Sequence, residues 1–337
     1  MIPKISVVLG VYNGADFLVR ALESVFAQDY PAHEVIVIDD GSTDTTPDIL
    51  AGYKNRIITR RIECSGGPAT PKNLGMGLAT GDYIAFLDHD DLWFKDKLKK
   101  QAAAAATYPS VGLISCDFAV RYPHLNNRLI KHTSVLKEFK DLPFDRPLNG
   151  EAFRVLLKGN FIGVPSAVIL KREVAVKVGP FNVEYKSTQD YDYWLRCAVF
   201  TDFLMLSDVL LYKRNHPKNI SVNVVRTHEF RKRILTDRIN AEQVFISERG
   251  LGADCRLALA EVNYFLGNIV FEKGDPAGAF RLYIEGLAAS PTLKNFSEFT
   301  WTASKKMLRV LTFNALSREN VKRLVRVFAG SRRKARL

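Results

Sequence analysis

The chain has 337 residues, enough for one large domain and a smaller one. Its net charge of +12 is unevenly spread: residues 301–337 hold eleven Lys/Arg and one Glu, a local +10, which leaves +2 for everything before them. A near-neutral body with a basic end is not the charge distribution of a nucleic-acid binder.

Ile5–Val11 is a continuous apolar run, too short for a helix and rich in Val, and reads as a buried strand. Residues 15–27 follow with apolar side chains at helical spacing (Phe17, Leu18, Ala21, Leu22, Val25). Strands are predicted at 34–38, 57–62, 83–87 and 111–118, with helices at 68–79 and 95–107. This alternation predicts an α/β fold, a mostly parallel sheet with helices on both faces. Residues 121–160 are polar and irregular, with Pro123, Pro143 and Pro147, and a helix is expected only near 151–157. Strand, helix and strand are expected again at 167–170, 191–199 and 209–213.

From Arg226 onward the periodicity is helical throughout. The reading is therefore a catalytic domain over 1–225 and a helical region over 226–337. Gly267, Gly274, Ala279, Tyr283 and Pro291 follow the spacing of one tetratricopeptide-like hairpin, with Gly286 where Ala is usual. A lone helical hairpin is favoured over a repeat array, since stacked repeats need roughly three copies. At the chain end Val321, Leu324, Val325 and Phe328 share one helical face among Lys322, Arg323 and Arg326. Residues 318–337 thus suit an anionic membrane surface. The longest apolar stretch, 161–170, is too short to span a bilayer. The start shows no secretory signal, and Cys64, Cys116, Cys197 and Cys255 are scattered without a CxxC pair. A cytoplasmic protein is expected, peripheral on the inner face of the cytoplasmic membrane if the tail binds lipid.

Ligands of open parallel sheets bind beyond the carboxyl ends of the strands. Tyr12-Asn13-Gly14 follows the first strand, and Asp39-Asp40-Gly41-Ser42 ends the second. Gly66-Gly67-Pro68 precedes the helix that carries Lys72 and Asn73, and Asp88-His89-Asp90-Asp91 ends the fourth strand. Carboxylates one residue apart supply hard oxygen ligands for Mg²⁺ or Mn²⁺. On spacing alone an acidic turn capping the next helix explains residues 88–91 equally well. Their strand-end position beside Asp39-Asp40 favours metal. By the same local reading, Asp190 is as readily an N-cap, and His216 a loop histidine.

The run SVVLGVYNGADFLVRALESVFAQDYPAHEVIVIDDGSTD, followed by GGPATPKNLGMGLATGDYIAFLDHDDLW, resembles the N-terminal half of the family 2 glycosyltransferases. The resemblance covers about residues 3–220. It implies the GT-A fold, a nucleotide-sugar donor (UDP-linked by resemblance), a glycan or lipid-linked glycan acceptor, and inversion at the anomeric carbon. Asp40 would bind the nucleotide base with Asp39 beside it, and Asp88 and Asp90 would form the DxD motif. The implied donor-binding set extends to Val11, Tyr12, Asn13, Gly67, Lys72, Asn73 and His89. Asp90, Asp88 and His216 would hold Mn²⁺ or Mg²⁺, and Asp190 would be the general base, with Asp192 next in line. Gln189 replaces a common acid, Lys72 replaces the usual arginine, and no QxxRW motif occurs, which argues against a processive synthase. A nucleotidyltransferase acting on sugar phosphates would want a phosphate-cradling loop after the first strand, where Tyr12-Asn13-Gly14-Ala15-Asp16 stands. A helical scaffold without catalysis would leave the ordered acids unexplained.

Overall fold

The structure, a computed structural model, describes residues 3–121, 129–135, 139, 141–216 and 223–290. The chain forms two compact units, Met1–Ala258 and Leu259–Leu337. In the first, the strands β1 (Ile5–Val11), β2 (Glu34–Asp39), β3 (Ile58–Arg61), β4 (Tyr83–Asp88), β5 (Leu92–Trp93), β6 (Val111–Arg121), β7 (Leu129–Lys131), β8 (Ile169–Lys171) and β9 (Asp202–Lys213) share one mixed sheet. Its order is β3-β2-β1-β4-β8-β6-β9-β5, with β7 on β6. The half from β3 to β4 is parallel; β8 enters antiparallel between β4 and β6.

Successive side chains of a strand point to opposite faces, and both faces of β1 are covered. Ile5, Val7, Leu9 and Val11 join a core with Leu18, Ala21, Leu22 and Val25 of α1 (Leu18–Phe26) and Leu98, Ala102 and Ala105 of α4 (Lys97–Thr107). Val8 and Gly10 face α3 (Ala69–Leu78) so closely that a Cβ on Gly75 would lie 2.4 Å from Val8 Cγ1. A Cβ on Gly10 would lie 3.0 Å from Pro71 Cβ. Coverage on both sides explains why β1 reads as a continuous apolar run and not an alternating one.

Several elements went unforeseen. α2 (Thr46–Gly52) is short and starts beside Pro47. α6 (Arg172–Val178) is rich in β-branched residues, yet it starts directly after β8 and its first residue is tied to the chain just before β4, Arg172 N donating to Asp82 O at 2.9 Å. β9 begins at Asp202, well before the expected 209, because Ser207 and Asp208 bulge out of its pairing with β6 and interrupt the apolar pattern. The expected helices appear as α5 (Ala152–Lys158) and α7 (Gln189–Phe200).

The sequence reading closes the catalytic domain at 225, whereas the first unit continues through α8 (Val224–Ala241) and α9 (Gln243–Glu248). Asp192 of α7 receives Arg196 Nε at 3.0 Å and Arg238 Nε of α8 at 3.1 Å. Tyr185 donates to Asp237 of α8 at 2.5 Å. α10 (Gly252–Glu272) begins in this unit and ends in the second.

The described part of the second unit is the helical hairpin of α10 and α11 (Pro276–Ala289). Gly274 turns the chain at φ +89, and Asp275 caps α11 by accepting from Gly278 N at 2.8 Å, with Pro276 in the first turn. Ala260, Tyr264, Ala279, Tyr283 and Leu287 form its core, and Gly267 makes room for the Tyr283 ring. The tetratricopeptide-like residues are thus packing residues of one hairpin. Pro291 and the basic amphipathic segment 318–337 lie outside the described residues.

Candidate active site

The loops after β1 and β2 are tied together. Asn13 N donates to Ser42 Oγ at 2.9 Å, Asn13 Oδ1 accepts from Thr43 N at 2.8 Å, and Gly14 N donates to Thr46 Oγ1 at 3.0 Å. His89 packs where a Cβ on Gly14 would stand, so the turn after β4 closes on the same loop. Tyr12 is exposed beside them. The Val11 side chain is in the core, and its carbonyl accepts from Asp40 N at 2.8 Å. Asp39 and Asp40 are both buried. Asp39 accepts from Ser42 N at 2.9 Å and pairs with Arg61 at 3.4 Å. Asp40 takes both the N–H and the hydroxyl of Ser65, each at 2.9 Å. Between them and Cys64 runs Gly41, at φ +76. A Cβ there would lie 2.7 Å from Cys64 N, so only glycine serves. Cys64 itself is exposed, unlike the buried Cys116, Cys197 and Cys255; burial pushes the Cys116 thiol up to about 12.

α3 starts after Gly66-Gly67 and carries Lys72 inward. Lys72 is buried, and its Nζ donates to Asp88 Oδ1 at 2.8 Å. Burial opposes ionisation of Asp88, but the charge and hydrogen bond of Lys72 outweigh it and hold the carboxyl below its usual range. Asn73, which the resemblance puts in the donor-binding set, exchanges two hydrogen bonds with the Phe181 backbone, at 2.9 and 2.7 Å. Gly67 lies against Lys186, whose Nζ donates to Ser65 O at 3.2 Å.

Asp190 is buried in the first turn of α7, where Thr188, at φ +59, is the cap residue and makes no side-chain cap bond. Asp190 Oδ2 accepts from Asn160 Nδ2 at 3.0 Å. Burial pushes the Asp190 carboxyl above the usual range; Lys72 and the Asn160 hydrogen bond oppose this, and Asp88 adds to it. Asp192, the reserve base of the sequence reading, is held by Arg196 and Arg238 in the packing of α7 on α8.

The chain brings Asp90 and His216 together across 126 positions, with His216 Nε2 2.9 Å from Asp90 Oδ2. The imidazole stacks on Phe17 at 5.0 Å between centroids. A carboxylate oxygen beside an imidazole nitrogen is a donor set suited to Mn²⁺. Among the described residues no group of three or more His, Cys, Asp or Glu stands close enough to form a protein cage. Two protein ligands fit an ion that completes its shell with phosphate oxygens.

Residues 6–179 match the family described as Glycosyl transferase family 2. The chain belongs to that family. It is a glycosyltransferase, and the nucleotidyltransferase and scaffold readings fall away. It is 28% identical over 233 residues to an uncharacterized glycosyltransferase of Rickettsia typhi, spanning 67% of this chain and 70% of the relative. It is 32% identical over 200 residues to the amylovoran biosynthesis glycosyltransferase AmsB of Erwinia amylovora, spanning 57% and 62%. Among solved structures, S. aureus TarS 1–349 in complex with UDP-GlcNAc superposes with TM-score 0.57 at 19% identity, over 89% of this chain and 92% of that one. The mannosyltransferase PcManGT of Pyrobaculum calidifontis, in complex with GDP-Man and Mn²⁺, gives 0.53 at 18% identity, over 91% and 81%. These likenesses establish the GT-A fold.

Sequence reasoning missed Asn160, Ser65 and Ser166. Ser166 Oγ accepts from Asp88 N at 3.0 Å, and Trp93 Nε1 donates to Ser166 O at 2.9 Å, which fixes the start of the acidic turn from behind. All three act across long sequence separations, and none lies in a recognisable local motif.

Proposed function

We propose that the chain transfers one sugar from a UDP-linked donor to an acceptor hydroxyl with inversion, in the assembly of a surface polysaccharide. The observation that carries this reading is the buried Lys72 between two carboxylates: it bonds Asp88 and its charge favours ionised Asp190. The polysaccharide role follows the amylovoran relative, and the UDP donor follows the TarS complex.

The nucleotide lies along the ends of β1, β2 and β4, within 1–225, with Asp40 and Asp39 toward the base and Asp88 and Lys72 toward ribose and diphosphate. Tyr12, Asn13, Gly67 and His89 line it, Val11 contributes backbone, and Asn73 supports α3. Asp190 takes the acceptor proton as the hydroxyl oxygen attacks the anomeric carbon and the bond to the diphosphate breaks. Attack from the face opposite the leaving group inverts the centre. Lys72 and the N–H groups at the start of α3 stabilise the departing diphosphate. Asp90 and His216 would hold a divalent ion, with Asp88 nearby in sequence, and the ion would supply further neutralisation of that charge. Among the described residues no helix is long and apolar enough to cross a membrane. Residues 318–337 hold the enzyme at an anionic cytoplasmic surface, beside lipid-linked acceptors.

Hydrolysis of UDP-GlcNAc, UDP-glucose and GDP-mannose, each with and without Mn²⁺, tests the reading. Mn²⁺-dependent release of UDP is expected. No release from any of them overturns it.

A further inference from the structure

We infer that Asn160 is a positioning residue for Asp190: its amide holds one carboxylate oxygen, Oδ2, and so fixes how the carboxylate is presented to the acceptor hydroxyl. This rests on Asp190 being the base. Asn160 comes from the loop after α5, thirty positions before its partner, and the two side chains meet at 3.0 Å. The amide cannot turn over without loss, because Asn160 Oδ1 accepts from Gly163 N at 3.3 Å. The loop is pinned by the buried Phe161 and Ile162. Gly163, at φ +78, has no room for a side chain: a Cβ would lie 2.7 Å from the Phe118 ring.

A general base works when its lone pair points along the path of the proton, and a buried carboxylate without a fixed partner rotates about χ2. The groups facing Asp190 are Lys72 from α3, Asp88 from β4, Asn160 and the Tyr191 backbone. Lys72 is directed to Asp88, so the Asn160 amide is the side-chain donor that reaches the Asp190 oxygen. That bond also favours the ionised form, which is the form a base needs.

Asn160→Asp keeps the size and the acceptor to Gly163 while replacing the N–H donor with an oxygen; Asn160→Ala removes both bonds. The readouts are hydrolysis of the best UDP-sugar across pH, UDP affinity by calorimetry, and melting temperature. For Asn160→Asp we expect kcat to fall about 10- to 100-fold, the loss typical of a hydrogen bond to a charged group. UDP affinity should stay within about twofold, and the acid limb of the rate profile should move to higher pH. In Asp190→Asn the Asn160→Asp change should add little further loss, since it acts through that carboxylate. Wild-type turnover and pH profile in Asn160→Asp overturn the inference, as does lowered UDP affinity or melting temperature with an unmoved profile. If Asp190→Asn itself keeps turnover, the base assignment fails instead.

Discussion

Lys72 and Asp88 form a 2.8 Å ion pair in which the lysine is buried and the carboxylate keeps 29% of its side chain exposed. Replacing Lys72 with Met leaves that partly buried carboxylate without its counter-ion. Breaking a fully buried pair costs roughly 3–5 kcal/mol, so about 2–3 kcal/mol is expected here. Asp88 titrates below its ordinary 3.8, so the pair stabilises fully above that pH and is lost as pH falls through the lowered value. Urea unfolding between pH 2 and 7 should show a flatter acid side in the variant.

Asp190→Asn should keep UDP affinity near wild type and lower kcat by about 10²–10⁴, the range for a lost general base. In the wild type, burial raises this carboxyl, and the proposed role as base needs it ionised. The rate should therefore fall on acidification at a pH above that of an ordinary carboxylate. A steady-state pH profile checks both the direction and its loss in the variant.

Asp90→Ala should remove the Mn²⁺-dependent part of UDP binding and abolish transfer, and His216→Ala should move in the same direction. Calorimetric titration of UDP with Mn²⁺ and with EDTA measures this. Unchanged Mn²⁺-dependent binding in Asp90→Ala would sink the metal assignment.

Lys97 is fully buried, with its Nζ 4.0 Å from the centre of the Trp93 ring and donating to Gln101 at 2.7 Å. Burial lowers it from its ordinary 10.5 to about 8. Between those values the unfolded chain binds more protons, so stability should rise with pH across this window. Lys97→Met should lose that rise. Denaturant midpoints at pH 8 and pH 10 in both proteins provide the comparison.

The basic end predicts salt-sensitive co-sedimentation with anionic liposomes. A protein ending at Ser317 should lose it, at roughly 1 kcal/mol per basic residue near the surface.

In the parallel half of the fold, β1, β2 and β4 were readable because they are short apolar runs buried on both faces that run into Tyr-Asn-Gly or acidic turns, whereas β3, Ile-Thr-Arg-Arg, is largely exposed. Asp88 and Asp90 could be found that way, and Lys72 from the Gly-Gly-Pro turn that leads into α3. Asp192 could not be separated from Asp190 by spacing, yet two residues apart on a helix points their side chains about 200° apart. One faces Asn160 and the other faces α8. Asn160, Ser65 and Ser166 were hidden because their partners lie 30, 25 and 78 positions away. The pairing of Asp90 with His216 was foreseen only through family resemblance, since nothing local in Asn215-His216-Pro217 announces it.

The hydrogen bonds that stitch Asn13 and Gly14 to Ser42, Thr43 and Thr46 have a thermodynamic consequence. The backbone at the ends of β1 and β2 has already surrendered its conformational entropy in folding. A nucleotide bound there, as proposed, would meet a rigid rim and need not order it, so discrimination at that rim would come from shape and hydrogen-bond pattern, with little remodelling of the chain.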